Sequence, residues 1–195
     1  MQEFDQAYPF LQGLTPESQM VTTLEQCGAA FQSLGAPIFV KGAIQSRKRA
    51  GLQACLAQTL AELDALVQDL LERPQFSNGT VILRRWIPLR KTGSFGEDFP
   101  KGREYRAFVL HQQVLALGYY WQGEDPCGPL TEKDLTDIQA LIQTAATRLQ
   151  VPYFSIDLGQ AEDGKWWVIE TGNAQFTSLG QIEPERVWTG LNRSC

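Results

Sequence analysis

The sequence predicts an α+β protein in which helices pack on antiparallel sheets, and three observations carry that prediction. Two long segments repeat apolar residues at three- and four-residue spacing, as amphipathic helices do. Several short β-branched or aromatic runs are separated by turn signals, so that neighbouring strands join as hairpins. The resulting order, helix-strand-helix-strand-strand-strand-helix-strand-strand, lacks the regular alternation of a parallel βαβ fold.

Residues 1–19 show little periodicity and read as a loosely structured arm or the remnant of a preceding domain. Thr23 with Gln26 forms a capping box ahead of a helical stripe of Cys27, Ala30, Phe31 and Leu34, and Gly35 sits where a left-handed C-terminal cap belongs. Ile38-Phe39-Val40 reads as a buried strand that delivers Lys41-Gly42 to its end. Leu52, Cys55, Leu56, Leu60, Leu63, Val67 and Leu70 predict one long helix over residues 52–71, stopped before Pro74. Asn78-Gly79 turns the chain into a strand over 80–87, which Pro88 ends.

Residues 91–102, rich in Gly and charge, read as a loop of the size that lids have. Strands over 105–110 and 114–121 form a hairpin around residues 111–113. Thr131 with Asp134 caps a second long helix lined by Leu135, Ile138, Leu141, Ile142, Ala145 and Leu149, and strands over 153–158 and 165–170 close the chain. The predicted division is an arm at 1–19, a first lobe at 20–88 carrying the lysine strand, and a second lobe at 89–195 carrying an acidic hairpin.

Composition removes several function classes. With 195 residues, 43% hydrophobic and 20% charged, and no low-complexity tract, the chain is an ordinary globular protein. Neither a signal-peptide pattern nor an apolar stretch of membrane-spanning length occurs, so the expected location is cytoplasmic with no membrane partner. A net charge of −5 argues against binding nucleic acid through its phosphates. Cys27, Cys55, Cys127 and Cys195 lie far apart, form no CxxC and share the chain with one histidine, His111, which argues against a zinc site, a disulfide framework or a nucleophile-histidine pair. Cys27 and Cys55 fall on apolar helical faces and read as small buried hydrophobes.

Chemistry concentrates in a hairpin near the C-terminus. Asp163-Gly164 signals a two-residue turn that pairs Glu162 with Lys165. Counting outward, Gln160 faces Trp167, Leu158 faces Ile169 and Asp157 faces Glu170, with Cβ atoms of the acidic pair about 4.5–5.5 Å apart. Two like charges so placed repel unless one is protonated or a cation lies between them, and a divalent metal such as Mg²⁺ resolves the conflict with few protein ligands. Asn173 adds an oxygen if Gly172 bends the strand end. The alternative is a solvent-facing acid pair, or a bulge at Gly159 that shifts the register.

Basic residues gather upstream. Lys41 ends its strand beside Gly42, whose backbone can approach a ligand closely, and Arg47, Lys48 and Arg49 follow in a loop; together they make a phosphate-binding candidate, with a solvated surface run as the alternative for the triplet. In the strand containing Arg84-Arg85-Trp86, alternation sends one arginine to each face. Arg106 shares a face with Glu104 and Phe108, so that it meets either Glu104, phosphate, or a cross-strand carboxylate.

Phe39-Val40-Lys41-Gly42, Ser46-Arg47-Lys48, Leu83-Arg84-Arg85-Trp86, Glu104-Tyr105-Arg106-Ala107-Phe108 and Ile169-Glu170 occur in an order that resembles the ATP-grasp superfamily, and within it the divergent clade named for two arginines and a lysine. The resemblance runs over residues 16–179. It implies an ATP-grasp-like fold of two α+β lobes of antiparallel sheet with packed helices, nucleotide held between them, and ATP and Mg²⁺ as cofactors. It further implies Lys41 and Lys48 on the phosphates, Arg85 and Ile87 offering backbone groups to adenine with Trp86 beside it, and Glu104 within the same nucleotide-binding set. Arg84 and Arg106 would face phosphates or an acyl group as the catalytic arginines, and Asp157, Glu170 and Asn173 would hold the metal. The end of the hairpin reads Glu-Thr-Gly-Asn where Glu-x-Asn is commoner in the family. The implied activity is an ATP-dependent carboxylate–amine ligase working through an acyl phosphate on unidentified substrates, a peptide or protein among them. The clade's eukaryotic branch implies the alternative of a non-catalytic ATP-binding chaperone or assembly factor.

Overall fold

The computed structural model describes residues 4–95 and 98–193. The chain divides into two compact units, one made of residues 16–87 and 93–101, the other of residues 1–15, 88–92 and 102–195. The longer segment of the smaller unit ends at Ile87. The N-terminal residues, however, fold with the C-terminal unit.

In that larger unit, residues expected to be a loose arm form helix α1 (Phe4–Leu11), whose buried Phe4, Ala7 and Leu11 follow helical spacing. Pro9 inside so short a stripe hides the pattern from a propensity reading.

The smaller unit follows. Strand β1 (Ser18–Val21) precedes a 3-10 turn and helix α2 (Cys27–Leu34), where Gln26 Oε1 accepts the Thr22 and Thr23 amides at 2.7 and 3.2 Å. Gly35 caps α2 at φ 70°, donating its N–H to Phe31 O. Strand β2 (Ile38–Gly42) is wholly buried. The helix expected over 52–71 starts later: two 3-10 turns and strand β3 (Leu56–Ala57) come first, then α3 (Leu60–Leu71). The reason is a second capping box. Thr59 Oγ1 accepts the Glu62 amide while Glu62 Oε2 accepts the Thr59 amide, both at 3.2 Å, which fixes the helix start at Leu60.

Helix α4 (Pro74–Ser77) ends on Asn78 in the left-handed region, and β4 (Val81–Arg85) completes an antiparallel sheet of order β1-β4-β2-β3. Cys27, Ala30, Leu63, Val67 and Leu70 of α2 and α3 bury one face of that sheet through Ile38, Val40, Val81 and Leu83. Burial pushes the thiols of Cys27 and Cys55 up to about 11, which leaves both as inert packing groups.

Residues 91–102, expected to be a loop, contribute strand β5 (Lys91–Phe95) and the start of β6 (Phe99–Leu110). Backbone pairing, supported by Thr92 Oγ1 donating to Gly102 O, outweighs the low strand propensity of a Gly-rich segment. Strand β7 (Gln113–Tyr119) returns through His111 and Gln112, both at positive φ, as a two-residue hairpin loop requires. Helix α5 (Glu132–Leu149), capped by Thr131 and Asp134 as expected, precedes β8 (Tyr153–Gln160), β9 (Trp166–Asn173) and helix α6 (Pro184–Arg193), which the sequence did not disclose.

The five-stranded sheet of this unit has β6 between β7 and β8, with β9 outside β8. Tyr105, Ala107, Val109, Ile156, Leu158 and Val168 pack against α5 and α1. On the other face, Phe108 and Ala116 lie under Ile182 and Val187 near α6.

A buried polar network locks this unit. Arg103, 2% exposed, donates to Asp125 Oδ2 at 2.7 Å, Gln160 Oε1 at 2.7 Å, Gly128 O at 3.0 Å and Asp134 Oδ2 at 3.4 Å. Asp134 also accepts from Gln160 Nε2 and the Trp166 indole at 2.9 and 3.1 Å. Burial alone would raise the Asp134 pKa, but donors from Thr131 and Trp166 and the Arg103 charge outweigh it and hold the carboxyl at about 2.

Candidate functional site

The larger unit's sheet face away from α1 and α5 carries the acidic residues. Arg106 of β6 pairs in register with Asp157 of β8, and Asp157 pairs with Glu170 of β9. The three side chains therefore share one face, with Glu104 two residues from Arg106 on the same side.

The Asp157–Glu170 pairing matches the sequence expectation, although the path to it differs. The hairpin loop has three residues, 162–164: Ala161 N donates to Lys165 O and Gly164, at φ 90°, donates to Ala161 O. Ala161, not Glu162, thus faces Lys165, and Gln160 faces Trp166 and Leu158 faces Val168, each one residue off the expected partner. A bulge then passes over Ile169 between Leu158 and Asp157 and restores Asp157 opposite Glu170. The bulge falls at Ile169 in place of Gly159, and two single-residue shifts cancel at the acidic pair. Gly159 makes room for it, since a Cβ there would meet Ile169 side-chain atoms at 3.0 Å.

Asp157 is 7% exposed, and Arg106 holds it in a fork, Nε to Oδ1 and Nη2 to Oδ2, both 2.7 Å. The cross-strand ion pair is the alternative that the structure selects for Arg106. Its third arm, Nη1, donates to Ser178 O at 2.8 Å, and the guanidinium lies over the Tyr120 ring, 4.7 Å from its centroid. Burial pulls the Arg106 pKa down, yet the Asp157 bonds and charge outweigh it and leave it raised. The Tyr120 phenol is pushed up, first by burial, with Asp157, Glu104 and Glu170 raising it and Arg106 opposing. All four charges therefore act on one ring.

Asn173, at the end of β9, pairs with Phe154, and its Oδ1 accepts the Gln175 amide at 3.0 Å. Three residues beyond Glu170, it falls on the opposite side by alternation. The turn it starts ties down the next loop: Thr177 Oγ1 donates to Asn173 O at 2.8 Å and lies 2.8 Å from Ser155 Oγ. Sequence reasoning missed Tyr120, Ser155, Thr177 and Ser178 here. Alternation with Asp157 could have found Ser155; the rest lie beyond strand ends and carry no periodic signal.

Among the described residues no three His, Cys, Asp or Glu side chains gather as a metal cage. Two hard carboxylates on adjacent strands nonetheless fit Mg²⁺, which fills its remaining positions with water and phosphate oxygens. Asp157 and Glu170 satisfy that chemistry, whereas the Asn173 oxygen already serves its own turn.

The smaller unit carries the basic set on the sheet face away from α2 and α3. Phe39 pairs with Arg84 and Lys41 with Ile82, which puts Phe39, Lys41, Ile82 and Arg84 on one side. Lys41 and Arg84 are each 5% exposed, and Arg84 Nε donates to Ser18 Oγ at 3.3 Å. Arg85 turns to the helix face as alternation requires, donating to Leu34 O at 3.1 Å and pairing with Glu17 at 2.9 Å. Its amide N–H is taken by Glu17 O at 2.8 Å, so that group is not on offer to adenine.

Lys48 sits in a 3-10 turn with its ammonium 5.8 and 5.4 Å from the Phe39 and Phe99 ring centroids. Trp86 packs on the same two rings, and Ile87 follows it half-buried at the end of this segment. Of the basic triplet, Arg47 pairs with Asp69 and Arg49 is exposed, leaving Lys48 as the member turned to the aromatic face.

The fold is that of an ATP-grasp domain. The chain belongs to the third family of the ATP-grasp clade named for two arginines and a lysine, whose model matches residues 33–191. Among solved structures, C-terminally truncated Cdc123 from Schizosaccharomyces pombe superposes with a TM-score of 0.61 at 16% identity, over 98% of this chain and 89% of that one. ATP-complexed D-alanine–D-alanine ligase from Bacillus anthracis gives 0.61 at 16% identity over 87% and 52%. A RimK domain ATP-grasp protein from Sphaerobacter thermophilus gives 0.56 at 16% identity over 88% and 58%. At such identities the likeness is one of fold, and the chain spans about half of the two bacterial proteins. A comparison with curated proteins finds no match.

Proposed function

We propose that the chain binds Mg–ATP and uses it to join a carboxylate to an amine. The observation that supports this best is the register of β8 and β9, which sets Asp157 opposite Glu170 beside Arg106 in a member of the ATP-grasp family. Asp157 and Glu170 would hold Mg²⁺, with Asn173 a contributor only after leaving its turn. The metal would supply charge neutralisation at the phosphates. Lys41 and Lys48 would meet phosphate oxygens, Ile87 and the Arg85 carbonyl would face adenine beside Trp86, and Glu104 would complete the nucleotide set. Arg84 and Arg106 would steady the transferred phosphoryl or the acyl group. The substrate carboxylate would attack the γ-phosphorus and expel ADP; the amine would then attack the acyl phosphate and release phosphate. Positioning and charge supply the catalysis, so no protein nucleophile is required.

The proposal places the chain in the cytoplasm, where ATP and Mg²⁺ are plentiful, and expects no nucleic-acid partner. No helix among the described residues is long and apolar enough to cross a membrane. A second reading, a non-catalytic ATP-binding chaperone or assembly factor, is favoured by the overlap with Cdc123, which leaves little of either chain unmatched.

Mg²⁺-dependent ADP release, screened over carboxylate, amine and peptide mixtures, separates the two. A ligase releases ADP only with substrates, and Glu170→Ala should lower the rate at least about a hundredfold, the loss of about 2.7 kcal/mol of transition-state stabilisation. Undiminished turnover in that variant contradicts the metal assignment. Nucleotide-induced stabilisation with no turnover under any mixture supports the assembly-factor reading.

A further inference from the structure

We propose that Asp69 is a positioning residue for the nucleotide site: it anchors Arg47 to α3, and that anchor holds Lys48 where its ammonium can meet a phosphate. The inference rests on the Mg–ATP reading, in which Lys48 contacts phosphate oxygens, and assigns the residue that places it.

Residues 44–50 leave the end of β2 and contain no buried side chain. Apolar packing therefore does not fix this segment, and polar ties do so instead. Arg47 Nη1 pairs with Asp69 Oδ2, while Asp69 Oδ1 accepts Arg73 Nε at 2.9 Å. Arg47 O accepts the Ala50 amide at 2.8 Å and Lys48 O accepts the Gly51 amide at 3.1 Å, which closes the turn. Burial raises the Cys55 thiol, and the Arg47 amide, hydrogen-bonded to its sulfur, opposes that rise. Arg47 is thus held through both its backbone and its side chain.

Lys48 is the next residue, at the start of the 3-10 turn. At about three residues per turn, neighbouring side chains diverge by roughly 120°. With Arg47 drawn to α3, Lys48 is turned away from that helix and towards the rings of Phe39 and Phe99, its ammonium 5.8 and 5.4 Å from their centroids. Both rings are buried, so the surface under the ammonium is fixed. Ring faces attract a cation, but a phosphate oxygen is the stronger partner when one arrives. The helix itself does not call for Asp69: a carboxylate in the last turn of α3 opposes the dipole, and two arginines answer it.

The test is calorimetric titration of a non-hydrolysable ATP analogue with Mg²⁺ into wild type and Asp69→Asn. Coulomb attraction alone makes a prediction of opposite sign, because loss of a negative charge near the basic set would tighten binding of an anion. Positioning predicts that Asp69→Asn binds about three- to tenfold more weakly, the cost of ordering one long side chain at the moment of binding. Arg47→Met should do the same. In a Lys48→Ala background, Asp69→Asn should produce no further weakening, since the two residues act in series. A second readout needs no nucleotide. The Lys48 Hε resonances, displaced by the ring currents of Phe39 and Phe99, should move towards those of an exposed lysine in Asp69→Asn, while the methyl resonances of Leu63 and Val67 on the buried face of α3 stay in place.

Equal or tighter analogue binding by Asp69→Asn, or Lys48 resonances unmoved by it, overturns the inference. The failures are distinguishable. If Lys48→Ala weakens binding and Asp69→Asn does not, the phosphate role of Lys48 survives while the positioning role falls. If wild type binds no analogue, the Mg–ATP reading and the inference fall together.

Discussion

Gly42→Ala is expected to cost about 4 kcal/mol or more, enough to unfold a protein of ordinary stability. A Cβ at this position would lie 2.0 Å from Phe76 O, 2.5 Å from Phe76 C and 2.9 Å from Ser77 N, all backbone atoms. The Phe76 carbonyl cannot step aside cheaply, because it accepts the amides of both Ile44 and Gln45 at 3.0 Å. Relief would require β2 and α4 to part, and β2 carries Lys41. Gly28→Ala is the matched control: nothing lies within 4 Å of its added Cβ, and the position is inside α2. There the substitution should gain about 0.5–1 kcal/mol. Urea unfolding of both variants at neutral pH makes the comparison. A Gly42→Ala protein as stable as wild type would refute the close approach of the two segments.

Arg103→Met should cost about 3–5 kcal/mol, because it leaves Asp125 and Asp134 buried without their cation. Adding Asp134→Asn and Asp125→Asn should recover part of the loss, since the three side chains act as one unit. The network has a pH signature of its own. Asp134 is held at about 2, below its ordinary 3.8, so its contribution is complete above about pH 4 and disappears as pH falls towards 2. At neutral pH it amounts to about 2 kcal/mol. Unfolding curves of wild type and Asp134→Asn should therefore converge on acidification from pH 5 to pH 2; a gap that persists at pH 2 would contradict the assignment.

These two sites show where sequence was readable and where it was not. Local chemistry was legible: the Thr131–Asp134 cap, the Asn78-Gly79 turn and the Lys41 strand all stand as their residue types dictate. Gly42 was legible only as a residue that permits close approach, and the approaching group proved to be the chain's own Phe76 carbonyl. Arg103 and its partners lie up to 57 residues apart, a relation no local pattern encodes. The helix start at Leu60 was written in Thr59 and Glu62 but lost under a longer apolar stripe. In the hairpin, the Asp163-Gly164 signal marked the turn, yet the loop length depended on Gly164 at φ 90° and the bulge on room beside Gly159. Asp157 reached Glu170 because those two departures offset each other.

The partners of the site residues were the least legible part. That Arg106 would choose Asp157 over Glu104 follows from register across β6 and β8, which emerges only when distant strands pair. The same holds for Arg85, whose amide and side chain are engaged by Glu17 and Leu34. The family pattern marked positions without saying what each side chain touches.

The most direct test of the central claim is calorimetric titration of a non-hydrolysable ATP analogue into the protein with Mg²⁺ and with a chelator. The proposed site predicts saturable binding with Mg²⁺, at least about tenfold weaker binding in chelator, and the same weakening in Glu170→Ala with Mg²⁺ present, as expected when a phosphate-bridging cation is lost. No saturable binding at millimolar analogue, or binding indifferent to both Mg²⁺ and Glu170, would contradict it.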